Sequence, residues 1–354
     1  MAITRTDVAE KAGVSKTTVS DTLNGKPTAR IKEETRQKVL DAVLELNYKP
    51  NILARSLTKQ RIQHIGVVVS TREQAETGFF SEIMHGIGEE SEANDYYPLL
   101  CPLQDRTSPH ASEVLGDMVR TGRIDGLIID KEDVLNAEVI KMAEQDLPFV
   151  LINGNVPPSK KPLHSVCIDN FQGACQAMKH LADLGHQRIA FVNREYESIP
   201  LVFRRNVDKE RLEGYKAVLQ NCGLQYEDSL VTEGALLNKA KIYSAVNRVI
   251  KLSSPPTAFF VADDMMALSV MHCLFSKGLR IPEDVSVVGY GDLNIALLTE
   301  PLLTTVRAPL SEMGRVATKM LIQILDGKEV IKKPHVLLKP RLAIRDSCAA
   351  IRKA

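Results

Sequence analysis

The sequence has no tryptophan, few aromatic residues and almost no net charge. Aromatic residues make up 5% of the 354 positions, and 45 Lys and Arg are nearly balanced by 44 Asp and Glu. A whole-chain charge of +1 would not by itself suggest a nucleic-acid binder. Hydrophobic residues make up 44% of the chain, which is ordinary for a globular protein. The length of 354 residues predicts two or three domains.

Neither a membrane segment nor a disulfide framework is indicated. No stretch approaches the roughly 18 consecutive apolar residues of a spanning helix, and the N-terminus lacks the apolar segment of a signal peptide. The six cysteines are far apart, and none forms a CxxC pair. We therefore expect reduced thiols in a cytoplasmic protein that has no membrane partner.

Signatures of catalysis and of metal binding are also missing from the sequence. The eight histidines form no HExxH or Cys/His ligand spacing, and there is no GxSxG, P-loop or GxGxxG motif. The sequence therefore predicts no catalytic residue, no metal site and no cofactor, and it favours a protein that is not an enzyme. A protein that only binds a sugar and an enzyme with a non-sequential site are kept as distant alternatives.

The charge is unevenly distributed along the chain. Residues 1–60 contain 11 Lys and Arg against 7 Asp and Glu, whereas the rest contains 34 against 37. A small basic module therefore precedes a larger and slightly acidic body. This division suggests that the N-terminal module binds a polyanion.

Residues 1–47 are predicted to form short helices without strands. The helices are expected at 7–12, 16–24 and 32–46. Gly13 separates the first two helices, and Ser15 can cap the second. Val19 and Leu23 lie one turn apart and are expected to face inward. Two short helices joined by a glycine-containing turn indicate a helix-turn-helix, whose second helix would enter the DNA major groove.

From Ile65 onward the pattern changes to apolar strands that alternate with helices. Residues 65–69 form a continuous apolar run, which is typical of a strand buried on both faces. Further strands are predicted at 126–130, 149–153, 166–169, 188–193, 258–262 and 285–290. Strands that alternate with helices indicate parallel sheets, and these are too many for one ordinary sheet. We therefore predict two α/β lobes.

Four segments of the chain resemble the LacI/GalR family of bacterial transcription regulators. They are TDVAEKAGVSKTTVSDTLNG at 6–25, YKPNILARSL at 48–57, RLEGY at 211–215 and IPEDVSVVGY at 281–290. The resemblance covers nearly the whole chain. It implies an all-α helix-turn-helix headpiece at 1–47, a hinge helix and linker at 48–63, and an α/β periplasmic-binding-protein-like body at 64–354.

The resemblance also implies where the lobes divide and what the protein does. The N-lobe is expected to contain about 64–168 and 303–330, and the C-lobe about 169–300 and 331–354. A homodimer, by default a repressor, would bind double-stranded operator DNA. A small effector between the two parallel-sheet lobes would control its affinity for DNA.

The residues expected to contact DNA lie on the second helix, at the N-terminus and in the hinge. By the family pattern Lys16, Thr17 and Asp21 read bases, whereas Ser15, Thr18 and Asn24 bind phosphate or cap helices. The full predicted set also includes Thr4, Asn51, Ala54, Arg55 and Leu57.

Asp21 departs from the family, which usually has arginine at that position. A carboxylate cannot donate to guanine, but it can accept from the N4 amino group of cytosine. We therefore hypothesise that the operator differs from the common half-site at that base. The alternative is that Asp21 pairs with a neighbouring Lys or Arg.

The hinge segment has a spacing of three between Asn51, Ala54 and Leu57, which places them on one face of a two-turn helix. Such a short helix is not stable alone in water. In the family it folds on the operator, and the resemblance implies that Leu57 inserts into the minor groove. The alternative is a packed linker helix.

The residues expected to bind the effector lie mainly at the carboxyl ends of strands, where ligands bind parallel sheets. They are Ser70, Phe79, Asp130, Arg205, Arg211, Asp263, Tyr290, Gly291 and Asp292. Arg211 matches the family arginine that binds ligand oxygens, and Asp264 matches an aspartate expected to cap the next helix. Phe79 fits a core position as well as a stacking surface.

Two departures concern the class of effector. The family commonly has Asn at the position of Asp263, and it has Asp at the position of Gly291 to bind sugar hydroxyls. Asp263 could supply the missing carboxylate, so a neutral sugar-like ligand is favoured. The alternatives are an anion held by Arg205 and Arg211, a nucleobase, or control by a partner protein.

Overall fold

The computed structural model describes residues 3–23, 31–48, 61–69, 78–103, 110–131, 134–154, 156–195, 206–236, 238–327 and 333–351. The chain divides into two compact units, Met1–Gln63 and His64–Ala354. The predicted site residues Asn24, Asn51, Ala54, Arg55, Leu57, Ser70 and Arg205 lie outside the described residues.

The headpiece contains the three predicted helices, α1 (Arg5–Ala12), α2 (Lys16–Leu23) and α3 (Glu33–Glu45). They pack around Val8, Val19 and Val39, each fully buried, with Leu23 half-buried at the edge of this cluster. Gly13 adopts a left-handed φ of 66°, and its N–H donates to the carbonyls of the last turn of α1. Glycine suits this conformation because it has no Cβ, so the turn between α1 and α2 follows from the sequence.

The body alternates strands and helices along most of its length. Its first half contains β1 (His64–Val69), α4 (Gly78–Ala93), β2 (Tyr97–Pro102), α5 (Ala111–Arg120), β3 (Gly126–Asp130), α6 (Asn136–Glu144), β4 (Phe149–Ile152), β5 (Ser165–Ile168) and α7 (Asn170–Asp183). Its second half contains β6 (Ile189–Arg194), α8 (Asn206–Asn221), β7 (Val231–Gly234), α9 (Lys239–Ile250), β8 (Ala258–Val261), α10 (Asp264–Ser276), β9 (Ser286–Gly291), β10 (Thr304–Arg307), α11 (Leu310–Leu325), β11 (His335–Leu338) and β12 (Arg341–Ala343).

These strands form two six-stranded sheets, one in each lobe. The N-lobe sheet has the order β11-β5-β4-β3-β1-β2, and the C-lobe sheet has the order β12-β10-β9-β8-β6-β7. All pairings are parallel except that of β10 with β12. The predicted pair of parallel-sheet lobes is therefore confirmed.

The predicted lobe boundaries in the last third of the chain need correction at two strands, β10 and β11. The segment 303–330 was assigned to the N-lobe, but β10 lies beside β9 in the C-lobe, and only α11 returns to pack on α4. The segment 331–354 was assigned to the C-lobe, but β11 pairs with β5 in the N-lobe. Hydrophobic pattern reports whether a strand is buried and not which sheet it joins, so these exchanges could not be inferred from it.

Each lobe has apolar cores on both faces of its sheet. In the N-lobe, Ile65, Ile83 and Met313 belong to one cluster, whereas Leu127 and Val139 belong to the other.

The six cysteines are all free, and Cys222 is exposed. Among the described residues no helix is long and apolar enough to cross a membrane.

Candidate DNA-binding and effector sites

The N-terminus of α2 presents two exposed side chains, those of Lys16 and Thr17. The residues on either side of them are used within the protein. The Ser15 hydroxyl accepts the backbone N–H of Thr18 at 3.0 Å, and the two hydroxyl groups lie 2.9 Å apart. Ser15 therefore caps α2, which leaves Lys16 and Thr17 exposed at the end of the helix that would read bases.

Thr4 fixes the start of α1. Its backbone N–H and its hydroxyl both donate to Asp7 Oδ2, at 2.7 and 2.9 Å. These hydrogen bonds hold the pKa of the Asp7 carboxyl below its usual range, because they favour the ionised form.

Asp21, the third predicted base-reading residue, is half-buried on α2.

Arg211 on α8 is buried at the carboxyl end of the C-lobe sheet. Its Nη1 donates to the carbonyl of Ala262 at 2.6 Å, and its Nε and Nη2 donate to Asn170 Oδ1 at 3.2 and 3.0 Å. The guanidinium lies 3.8 Å from the centre of the Tyr290 ring. Burial raises the pKa of Tyr290 to about 12, so its hydroxyl is neutral.

Asp263 follows β8 and is 4% exposed. Its Oδ1 accepts the N–H of Met265 at 2.8 Å and so caps α10, while its Oδ2 accepts from Arg194 Nη2 at 2.7 Å. The predicted carboxylate of the effector site is thus present, but it is already paired with an arginine at the end of β6.

Asp264 does not cap α10, which corrects the sequence prediction. Its side chain points into the protein, where Oδ1 accepts from the Thr305 hydroxyl at 2.6 Å and Oδ2 accepts the N–H of Leu293 at 2.8 Å. Burial raises the pKa of Asp264 to about 7, against the opposing effect of these two hydrogen bonds. Asp263 takes the capping role because it precedes the first helical residue.

Gly291, the last residue of β9, and Asp292, which follows it, have positive φ angles of 136° and 57°. The Asp292 carboxylate accepts from Arg307 and from Arg345, which neither sequence nor spacing had indicated. The structure therefore pairs Asp292 with these two arginines. Arg194 at the end of β6 is paired with Asp263 after β8, and Arg211 on α8 stacks on Tyr290 of β9. These four residues form a cluster, because Arg211 also donates to Ala262, the neighbour of Asp263.

The N-lobe contributes a second polar pair. Asp130 at the end of β3 is buried and accepts from Asn153 Nδ2 at 2.9 Å. Phe79 is half-buried in α4 and packs against the N-lobe core.

Three residues of these clusters were missed from sequence: Asn153, Asn170 and Arg194. Each lies at or just after the carboxyl end of a strand: Asn153 follows β4, Asn170 lies two residues after β5, and Arg194 is the last residue of β6. That position was the available signal, because ligands of parallel sheets bind at this edge. Among the described residues no group of three metal-ligating side chains could hold a metal ion.

Comparison with known proteins agrees with both units of the chain. Residues 4–51 match the family described as bacterial regulatory proteins, lacI family, and residues 178–348 match a periplasmic binding protein-like domain. The HTH-type transcriptional repressor PurR of Mannheimia succiniciproducens is 32% identical over 98% of each chain. Catabolite control protein A of Priestia megaterium is 32% identical over 98% of this chain and 99% of that protein.

Solved structures give the same result. The lac repressor dimer bound to operator and the anti-inducer ONPF has a TM-score of 0.77 at 28% identity and covers 99% of this chain and 100% of its own. The complex of the transcriptional regulator CelR with cellobiose has a TM-score of 0.69 at 28% identity and covers 98% and 99%. The chain belongs to the lacI family of bacterial regulatory proteins. It is a transcription regulator with a DNA-binding headpiece and an effector-binding body.

Proposed function

We propose that this regulator is a cytoplasmic repressor without enzymatic activity, which binds a near-palindromic operator as a homodimer. A neutral, sugar-like effector binds at the Arg194, Asp263, Arg211 and Tyr290 cluster and changes the affinity for DNA. Relatives named as repressors and the lac repressor dimer bound to operator support the DNA-binding part. The regulator bound to cellobiose supports the effector class.

On the DNA side, Lys16 and Thr17 are the base-reading residues, with Asp21 one turn further along α2. Lys16 donates to guanine, and Thr17 contacts a base or a thymine methyl group. Ser15 and Thr18 hold the helix end and position it on the phosphates. In the hinge, Leu57 inserts into the minor groove, Ala54 lets the paired hinge helices approach each other, and Asn51 and Arg55 also contact DNA.

The choice of a neutral effector rests on the partners of the half-buried Arg194 and the buried Arg211. Arg194 is matched by the Asp263 carboxylate at 2.7 Å. Arg211 lies 3.8 Å from the Asp208 carboxylate and donates its hydrogen bonds to Ala262 and Asn170. An anion would have to compete with carboxylates already in place, whereas hydroxyl groups can hydrogen-bond to an ion pair without disturbing its charge balance.

Effector binding can act on DNA only by favouring one arrangement of the two lobes over another. A change in lobe arrangement would reposition the hinge segments and so alter operator affinity. By thermodynamic reciprocity the operator would alter effector affinity by the same factor.

A thermal-shift screen of the full chain tests the effector class, with neutral sugars, sugar acids, sugar phosphates and nucleobases as ligands. We expect a neutral sugar to raise the melting temperature and to shift operator affinity measured by fluorescence anisotropy. Stabilisation by nucleobases or anions alone would refute a neutral, sugar-like effector. If the protein did not bind DNA with an affinity that falls as salt concentration rises, the proposed operator-binding function would be refuted.

The Asp263→Asn variant tests whether the carboxylate of Asp263 sets the preference for a neutral ligand. Asparagine can still cap α10, but it no longer neutralises Arg194. The variant should therefore bind the neutral sugar less tightly and bind the corresponding sugar acid more tightly than wild type. Asp284→Asn is the matched control, because Asp284 pairs with Arg280 on the surface of the C-lobe and should leave both affinities unchanged.

A further inference from the structure

A cavity of about 570 Å³ lies beside residues 307–310, where the chain crosses from the C-lobe to the N-lobe. Asp292, Arg307 and Arg341 line it from the C-lobe side, and Glu82 and Glu312 line it from the N-lobe side. Its volume is within the range of small-molecule sites. A ligand bound in this crossover cavity would contact both lobes.

Two arginines face each other on the C-lobe wall of the crossover cavity. Arg307 on β10 and Arg341 on β12 are direct partners in the antiparallel register, and both are exposed. Like charges directly opposite each other on neighbouring strands destabilise the pair. Within the described part of the chain, only Arg307 of this pair has a carboxylate partner, Asp292, and an anion bound between the two guanidinium groups would offset the repulsion that remains.

The nearby carboxylate does not neutralise this wall. Asp292 accepts from both Arg307 and Arg345, so one carboxylate serves two guanidinium groups. Arg341 and Lys339, which also lines the cavity, form no ion pair with any residue that the structure describes. The C-lobe wall therefore has more positive than negative charge.

The opposite wall has a different chemistry. Glu82 and Glu312 present carboxylates, and the guanidinium of Arg315 is paired with Glu89 at 2.8 Å. Ionised carboxylates accept hydrogen bonds, and the hydroxyl groups of a polyol donate them. The matching ligand is anionic at one end and rich in hydroxyl groups at the other.

We propose that the crossover cavity is a second binding site, which takes a phosphorylated sugar or polyol. Arg307, Arg341 and Lys339 bind the phosphate, since neighbouring arginines suit the geometry of phosphate oxygens. Glu82 and Glu312 accept from the hydroxyl groups. The residues that line the cavity do not include Arg194, Arg211, Asp263 or Tyr290, so the proposal does not depend on which effector binds at that cluster.

A ligand in the crossover cavity bridges the two lobes, so it stabilises the arrangement that brings both walls into contact with it. It therefore changes operator affinity, and operator DNA changes its affinity by the same factor.

Calorimetric titration of the full chain with ribose 5-phosphate tests the proposal, with ribose as the neutral counterpart. Arg341→Gln combined with Lys339→Gln removes the two cations that have no carboxylate partner. The double variant should lose about tenfold or more in affinity for ribose 5-phosphate, as expected for the loss of charge-assisted hydrogen bonds. Lys319→Gln, an exposed position of α11 outside the cavity, is the control and should bind as wild type does.

A stability measurement separates a binding site from a structural role of these side chains. Because Arg341→Gln removes the like-charge pair, it should melt at or above the wild-type temperature while it loses the ligand. Absence of binding to wild type, unchanged affinity in the double variant, or displacement by ribose would each overturn the proposal.

Discussion

The carboxylate of Asp264 accepts the backbone N–H of Leu293 at 2.8 Å, and the Leu293 side chain is buried in the N-lobe core. The same carboxylate accepts from Thr305 on β10, the last C-lobe strand before the chain crosses to α11. Asp264 therefore holds together the start of α10, the loop after β9 and the crossover strand. The contact between the lobes at Leu293 depends on a hydrogen bond to this buried group.

Asp264→Asn is expected to change how stability depends on pH. The pKa of Asp264 is raised from 3.8 to about 7 in the folded protein, so the folded state binds the proton more tightly than the unfolded chain. The resulting stabilisation is complete at low pH and is lost as pH rises through about 7. Relative to Asp264→Asn, wild type should lose about 2–3 kcal/mol between pH 5 and pH 8.

Urea denaturation of both proteins across this pH range measures the difference. Asparagine can accept from Leu293 and donate to Thr305, so the variant should fold. A difference in unfolding free energy that stays constant from pH 5 to pH 8 would contradict the raised pKa.

Gly291→Ala is expected to destabilise the body. The φ of 136° disfavours any side chain, and a Cβ there would lie 3.2 Å from both Asp264 Oδ2 and Leu293 Cγ. We expect a loss of about 1–3 kcal/mol. Gly122→Ala is the matched control, because Gly122 also has a positive φ but its Cβ would meet nothing within 4 Å. Equal losses in the two variants would show that the contacts with Asp264 and Leu293 have no effect.

Asp21→Arg is expected to change the preferred operator. Arginine donates to guanine, whereas aspartate accepts from cytosine, so selection from random DNA should yield a different base at the position that residue 21 contacts. Glu10→Arg makes the same charge change on α1 and should raise affinity for all sequences without altering the preference. Identical selected operators for wild type and Asp21→Arg would disprove the base-reading role.

Leu57→Ala should weaken operator binding by about tenfold or more and leave binding to random DNA within about twofold, because only the specific complex gains from a wedge in the minor groove. Anisotropy titrations at one salt concentration measure both affinities. Leu44→Ala removes the same side chain from an exposed position of α3 and should affect neither. Equal losses on both DNAs would mean that Leu57 is only a structural part of the linker.

The local features of the headpiece were predictable from sequence. Gly13 ends α1 in the left-handed conformation, Ser15 caps α2, and Val19 faces the core, as their spacing indicated. These outcomes depend on neighbours within one or two turns, so the sequence contains the information that decides them. The strands buried on both faces, such as β1 and β3, were predictable for the same reason.

The weaker strands were not predictable. Tyr97–Pro102 has proline at two positions and is mostly exposed at a sheet edge, so it lacks the pattern of a strand. β10 and β11 exchange lobes relative to the expected division, because strand pairing between distant segments is set by packing that local pattern does not contain.

The sequence by itself determined which structural elements this protein contains: a helix-turn-helix and buried strands that form two parallel sheets. It also determined that acidic and basic side chains lie at strand ends. The tertiary structure alone decided how those side chains are used. Asp263 and Asp264 are adjacent, yet one caps α10 beside Arg194 and the other is buried against Thr305 and Leu293. The reason is that a side chain's partners are brought to it by distant segments, and only the fold fixes which partners those are.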